Sequence, residues 1–67
     1  MAKISLKAAR VAANLTQDEM ASKLGVSRSW VNRIENGAEE VKPVYFLAWC
    51  HVTGFTEDDL FLPETST

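Results

Sequence analysis

Two helix-start signals separated by one glycine constrain this chain more than any other feature. Thr16-Gln17-Asp18-Glu19 is a capping box, in which Thr16 and Glu19 each satisfy a backbone amide of the other. Gly25 suits the left-handed turn that ends a helix, and Ser27 can cap the next one. A linker of about three residues forces two helices to cross steeply. The segment at about residues 17–36 is therefore predicted to be a helix-turn-helix.

The remaining signals predict an all-α domain of five short helices. Ser5 caps the first helix, Pro43 opens the fourth, and Thr56 caps the last. No stretch alternates with the two-residue period of a strand. With their caps, the five helices are expected at about 5–14, 16–25, 27–37, 43–52 and 56–61. We expect one domain over residues 1–62 and a short tail over residues 63–67.

The third helix divides into an apolar and a hydrogen-bonding side. At about 100° per residue, Trp30, Val31 and Ile34 fall on one arc. The opposite arc, called the polar face below, contains no acid and consists of Arg28, Ser29, Asn32 and Arg33. Arg can donate two hydrogen bonds to guanine, Asn can pair with adenine, and Ser can contact either. This face is predicted to read base edges, although an ordinary solvated helix face is the competing interpretation.

Composition and charge define the class of protein. The 67 residues suffice for one small domain, and 46% of them are hydrophobic, which is too many for a disordered chain. The net charge of −2 conceals an asymmetry, because residues 1–37 carry +3 and residues 38–67 carry −5. No apolar run approaches the roughly 18 residues of a membrane helix, and no signal-peptide pattern opens the sequence. We expect a cytoplasmic protein with no membrane partner.

Neither an enzyme nor a metal site is expected. Cys50 is the single cysteine and suits a small buried hydrophobe in a reducing compartment. His51 has no second metal ligand at a workable spacing, and adjacent positions in a helix point to different faces. No cluster of acid, base and nucleophile can be assembled. We therefore expect no catalytic residue, no cofactor, no metal and no small-molecule substrate.

Over residues 16–37, which include the capping box, the Gly25 turn and the third helix, the sequence resembles a known family, the Cro/C1-type (lambda repressor-like, XRE) helix-turn-helix regulators of phages and bacteria. The resemblance covers about residues 4 to 62. Later markers agree, namely Pro43 and the run Gly54-Phe55-Thr56 before Asp59-Leu60-Phe61. The matching positions are Thr16-Gln17, Ala21, Leu24-Gly25-Val26-Ser27, Val31 and Ile34-Glu35-Asn36-Gly37.

The resemblance implies roles for several residues of this chain. The third helix would enter the major groove of double-stranded DNA and read bases through the polar face. Arg10 and Glu35 would form a structural ion pair between the first and third helices. Contacts to phosphate, or positioning contacts, are expected from Gln17, Ser27, Asn36 and Lys42. The acids Glu39 and Glu40 depart from the family pattern, and they predict a modest footprint or a loop turned away from phosphate.

The C-terminal half is rich in aromatic residues. Phe46, Leu47 and Cys50 are expected to form an inward stripe on the fourth helix. The remaining large side chains are either core residues or a self-association face. That possible dimer face consists of Tyr45, Trp49, Phe55, Phe61 and Leu62. Pairing would place two recognition helices one helical turn apart on a pseudo-palindromic operator.

Three functions fit these expectations. The first is a small phage or prophage repressor of Cro type that occupies an operator and blocks polymerase. The second is an antitoxin whose acidic half, residues 38–67, binds a basic toxin. The third is a protein-binding module that keeps the helix-turn-helix scaffold without reading DNA.

Overall fold

The computed structural model describes residues 3–62 and contains four α-helices and one 3₁₀ helix. The predicted tail 63–67 lies outside the described residues. The bounds are α1 Leu6–Ala12, α2 Gln17–Leu24, α3 Arg28–Glu35, α4 Pro43–Thr53 and the 3₁₀ helix Glu57–Asp59. α4 packs against α1, α2 and the 3₁₀ helix, and α2 also packs against α3.

The predicted caps are present at the helix starts. The Ser5 hydroxyl accepts from the Ala8 amide at 3.0 Å, and the Ser27 hydroxyl accepts from the Trp30 amide at 3.1 Å. The Thr16–Glu19 capping box is complete, because Thr16 N donates to Glu19 Oε1 at 2.9 Å and Glu19 N donates to Thr16 Oγ1 at 3.1 Å. Local side chains therefore set where α1, α2 and α3 begin.

Two predicted helices are shorter than expected. α1 ends at Ala12 rather than near Asn14, because Asn14 takes a left-handed backbone with φ 60°. The predicted fifth helix is a single 3₁₀ turn, because Leu60 is extended and forms an isolated parallel bridge with Ile4. Ile4 N donates to Asp59 O at 2.9 Å, and Phe61 N donates to Ile4 O at 3.1 Å. This bridge joins the two ends of the described chain.

The core lies between all four α-helices. Trp49 is completely buried and its indole Nε1 donates to Leu6 O at 3.0 Å, so α4 is tied to the first turn of α1. Leu47, expected in the inward stripe, is instead half exposed, at 50%. Residues with less than a tenth of their surface exposed are Leu6, Ala9, Arg10, Met20, Ala21, Val31, Ile34, Val41, Trp49, Cys50 and Leu60.

Candidate nucleic-acid interface

A three-residue turn, residues 25–27, joins α2 to α3, and the two helices pack against each other. Gly25 has φ 73° and ψ 32°, the left-handed conformation that glycine adopts without steric cost. Val26 N then donates to Ala21 O at 3.0 Å, which closes the end of α2. Ala21 is 5% exposed, and its small side chain allows the close approach of α3. The predicted helix-turn-helix is therefore present.

The apolar side of α3 anchors the helix. Val31 and Ile34 are completely buried. Trp30 is half-buried and packs on Tyr45 of α4, with ring centroids 4.8 Å apart and the planes tilted by 54°. The opposite side of α3 is consequently presented to solvent in a fixed orientation.

The polar face is exposed and borders an open concavity. Arg28, Ser29, Asn32 and Arg33 are all exposed. Together with Gln17 of α2, they line a concavity of about 390 Å³. The structure thus brings all four predicted base-reading residues to one surface beside the start of α2.

Both arginines of the polar face lie near acids that the sequence analysis did not assign to them. Arg33 Nε is 3.2 Å from Glu39 Oε1, whereas Arg28 Nε is 3.9 Å from Asp18 Oδ1. The Arg28–Asp18 pair is beyond hydrogen-bond distance and both side chains are mostly exposed, so it contributes little, is screened by salt and can be exchanged for phosphate or base contacts. Asp18 and Glu39 lie on other elements, and no helical spacing signals their proximity.

A buried network fixes α3 relative to α1 and α2. The Arg10 guanidinium pairs with the Glu35 carboxylate, and Arg10 Nη2 donates to Glu35 Oε1 at 3.1 Å. Arg10 Nη1 also donates to Leu15 O at 2.8 Å. Gln17 Nε2 donates to the same Glu35 oxygen at 3.1 Å, a contact that the sequence analysis missed. The ion pair implied by the resemblance is therefore present between α1 and α3, and the Gln17 contact adds α2 to the network.

Of the four predicted phosphate-contacting residues, Gln17 lines the concavity and the other three do not. The Gln17 side chain is held by Glu35, while its backbone amide is in the first turn of α2 and has no intrahelical partner. Asn36 Nδ2 donates to Asn32 Oδ1 at 3.1 Å. Ser27, Asn36 and Lys42 are exposed but do not line the concavity.

The predicted dimer face is only partly at the surface. Trp49 cannot belong to it, because it is completely buried in the core. Tyr45 and Phe55 are half-buried against the core, whereas Phe61 and Leu62 are 45% and 52% exposed. Other large apolar side chains are also exposed, although the sequence did not indicate it, namely Val11, Val44 and Leu47.

The remaining chemistry-bearing residues are not assembled into a site. Cys50 is buried, and desolvation raises the pKa of its thiol, with smaller contributions from Glu57 and Asp59. His51 is exposed. Within residues 3–62, no three His, Cys, Asp or Glu side chains are grouped as metal ligands would be. Over the same range, no helix has the length and apolar character needed to cross a bilayer.

The short α2–α3 turn, the packing of these two helices and the exposed polar face define a helix-turn-helix domain, a class in which the second helix serves DNA binding. The model of the helix-turn-helix domain family matches residues 4–61. The chain therefore belongs to this family, consistent with the resemblance to Cro/C1-type DNA-binding domains. No curated protein and no solved structure gives a significant match.

Proposed function

We propose that this protein is a sequence-specific transcriptional regulator of Cro or repressor type, which occupies a DNA operator with α3 in the major groove. One observation carries the proposal. The four polar-face side chains line a single open concavity, while Val31 and Ile34 on the other side of α3 are completely buried. The helix is thus held rigidly and presents hydrogen-bonding groups outward.

The chemistry of the polar face suits base edges. The guanidinium groups of Arg28 and Arg33 can each donate two hydrogen bonds to guanine. Asn32 Oδ1 accepts from Asn36, but a carbonyl oxygen has a second lone pair and the Asn32 amide group still donates. Asn32 therefore retains both functions that bidentate pairing with adenine requires.

Phosphate contacts would position the helix in the groove. The first turn of α2 offers backbone amides at the positive end of its dipole, and Gln17 lies there beside the concavity. The Gln17 side chain is held by the Glu35 carboxylate, so we assign its contact to the backbone amide. Ser27, Asn36 and Lys42 would contact the sugar-phosphate backbone around the concavity.

We propose that two copies bind a pseudo-palindromic operator in the cytoplasm of a bacterial or phage-infected cell. The described chain measures 31 by 30 by 19 Å. A protomer of this size is compatible with two equivalent helices one DNA turn apart, which is roughly 34–36 Å. The exposed Phe61 and Leu62 are the members of the predicted dimer face that are available for pairing.

A second candidate is a protein-binding module, including an antitoxin, that uses the acidic half. Residues 38–67 carry −5, and the exposed Phe61 and Leu62 lie in this half. Such a module needs no contact between α3 and DNA. Its complex with a basic partner would leave the polar face free.

Selection from a random-sequence duplex pool, followed by salt titration of the selected duplex, distinguishes the two candidates. The regulator should enrich one sequence and lose affinity steeply with salt, because binding releases counterions from phosphate. Arg28→Ala/Arg33→Ala should lose about 1–3 kcal/mol of discrimination for each base contact. Lys3→Ala/Lys7→Ala is the matched control, since it removes the same charge outside the concavity.

The control variant should keep the parent's sequence preference. If the arginine and lysine variants select the same sequence as the parent, base reading by the polar face is wrong. Absence of enrichment together with a flat salt response would favour the protein-binding module.

A further inference from the structure

The end of α3 brings one acidic side chain beside the polar face. Gly37, with φ 73°, reverses the chain, and Gly37 N donates to Ile34 O at 3.2 Å. Ala38 N donates to Arg33 O at 2.9 Å, which completes a Schellman motif. Glu39 follows directly. The Schellman motif therefore holds the Glu39 backbone near Arg33, the residue that the Glu39 side chain contacts.

The contact uses one edge of the Arg33 guanidinium. Arg33 Nε donates to Glu39 Oε1 at 3.2 Å. A guanidinium has five N–H groups in a planar fork, and this bond leaves the Nη1 and Nη2 groups available. Those two nitrogens are sufficient for bidentate donation to guanine. A carboxylate on the Nε edge therefore does not block base reading, and it restricts rotation of the guanidinium.

The other acids near the polar face lack this geometry. Asp18 and Arg28 are 3.9 Å apart, beyond hydrogen-bond distance, and their side chains are 73% and 67% exposed. Glu39 and Arg33 are less exposed, at 42% and 47%. Glu40 is exposed, and within residues 3–62 no Lys, Arg or His nitrogen lies within 4.0 Å of its carboxylate.

We propose that Glu39 is a positioning residue that orients the Arg33 guanidinium for reading a guanine, and so determines specificity at one base pair. This inference rests on the proposed function. Fixing a flexible side chain before binding reduces the entropy lost on binding, and the gain is largest where the geometry is bidentate. Glu39 also repels phosphate, so it lowers affinity for all DNA while raising the preference for the correct base.

Glu40→Gln is the matched control for Glu39→Gln. Both substitutions remove one negative charge from the same loop, but only one removes the carboxylate that contacts Arg33. The probes are the duplex that the parent selects from a random pool, the same duplex with the guanine pair replaced, and unselected random duplex. Circular dichroism checks that each variant retains its helices.

Both variants should bind random duplex more tightly than the parent, and by a similar factor. Only Glu39→Gln should lose discrimination at the guanine pair, by about three- to tenfold, a part of what one bidentate contact supplies. In an Arg33→Ala background the two variants should discriminate equally, because there is no guanidinium left to orient.

The inference is overturned if Glu39→Gln and Glu40→Gln discriminate equally in the parent background. It is also overturned if Glu39→Gln discriminates better than the parent, since the carboxylate would then compete with the base. A parent protein that selects no sequence refutes the proposed function, and the role of Glu39 with it. These outcomes are distinguishable because the first two require a parent that does select.

Discussion

Within residues 3–62, buried charge is concentrated in one pair of residues, Arg10 and Glu35. Their side chains are 9% and 1% exposed, and Leu15 and Gln17 complete the hydrogen bonding around them. Removing one partner of such a pair leaves the other charge buried and uncompensated, which costs more than the pair contributes. The network therefore helps to hold α3 in its position against α1 and α2.

Replacement of Arg10 by methionine should lower the free energy of unfolding by about 3–5 kcal/mol. Arg10→Met/Glu35→Met should cost less than Arg10→Met alone, because neither charge then remains. Urea unfolding followed by circular dichroism measures both values. The exposed Arg33→Met serves as a control with little expected effect on unfolding. A double variant that is less stable than Arg10→Met would contradict this account.

Sequence reasoning at the residue scale succeeded where spacing along one helix determines the outcome. Val31 and Ile34 are buried and the polar face is exposed, as the 3.6-residue period predicts. It was wrong for Leu47 and left Trp49 undecided between the core and the dimer face, because α4 is apolar on several sides and the period alone does not show which side meets α1. The acids near Arg28 and Arg33 come from other elements, where no local pattern applies.

The bounds of the elements follow from local capping wherever a cap is present. Ser5, Thr16 and Ser27 precede the first three helices as predicted. Thr56 also precedes the last element as predicted, but the end of that element could not be predicted in this way, because the extended backbone at Leu60 depends on pairing with Ile4 at the other end of the described chain. Non-local pairing leaves no signal in the residues around Thr56.

Two capping carboxylates should make helix stability depend on pH. Hydrogen bonds from the Thr16 backbone amide and hydroxyl hold the pKa of Glu19 below its ordinary value, and Thr56 does the same for Asp59. When the pKa of a carboxyl group is lower in the folded protein than in the unfolded protein, its stabilising contribution is fully present at pH values above the unfolded-state pKa. That stability is lost as pH falls through the folded pKa.

The midpoint of thermal unfolding should therefore decrease between about pH 5 and about pH 3. Glu19→Gln/Asp59→Asn should reduce this dependence, since the amides cannot titrate and Gln still serves in a capping box. Thermal unfolding at several pH values compares the two proteins, whose other carboxylates are identical. Equal slopes for parent and variant would refute the contribution of these caps.

Charge and apolar exposure are divided across the whole molecule. Residues 1–37, which include the polar face, carry +3, whereas residues 38–67 carry −5 and include the exposed Phe61 and Leu62. This division suits a protein that meets DNA with one half and another protein with the other. A second copy of the chain is the partner that the proposed operator requires.

Phe61→Ser/Leu62→Ser should shift the protein from dimer towards monomer in sedimentation, because it removes apolar surface from the proposed contact. The fold should survive, since the Phe61 contact with Ile4 is made by the backbone. Val11→Ser removes a comparably exposed apolar side chain from α1 and should leave the dimer intact. A dimer unaffected by the double substitution would exclude this surface.

A nuclear magnetic resonance titration of ¹⁵N-labelled protein with the selected duplex shows directly whether α3 contacts DNA. If α3 reads DNA, the largest changes should occur at the start of α2 and along α3, including the Arg28 and Arg33 Nε resonances. Resonances of α4 away from α3 should change little. Changes concentrated in α4 and the 3₁₀ helix, with the arginine side chains unaffected, would contradict the claim that α3 reads DNA.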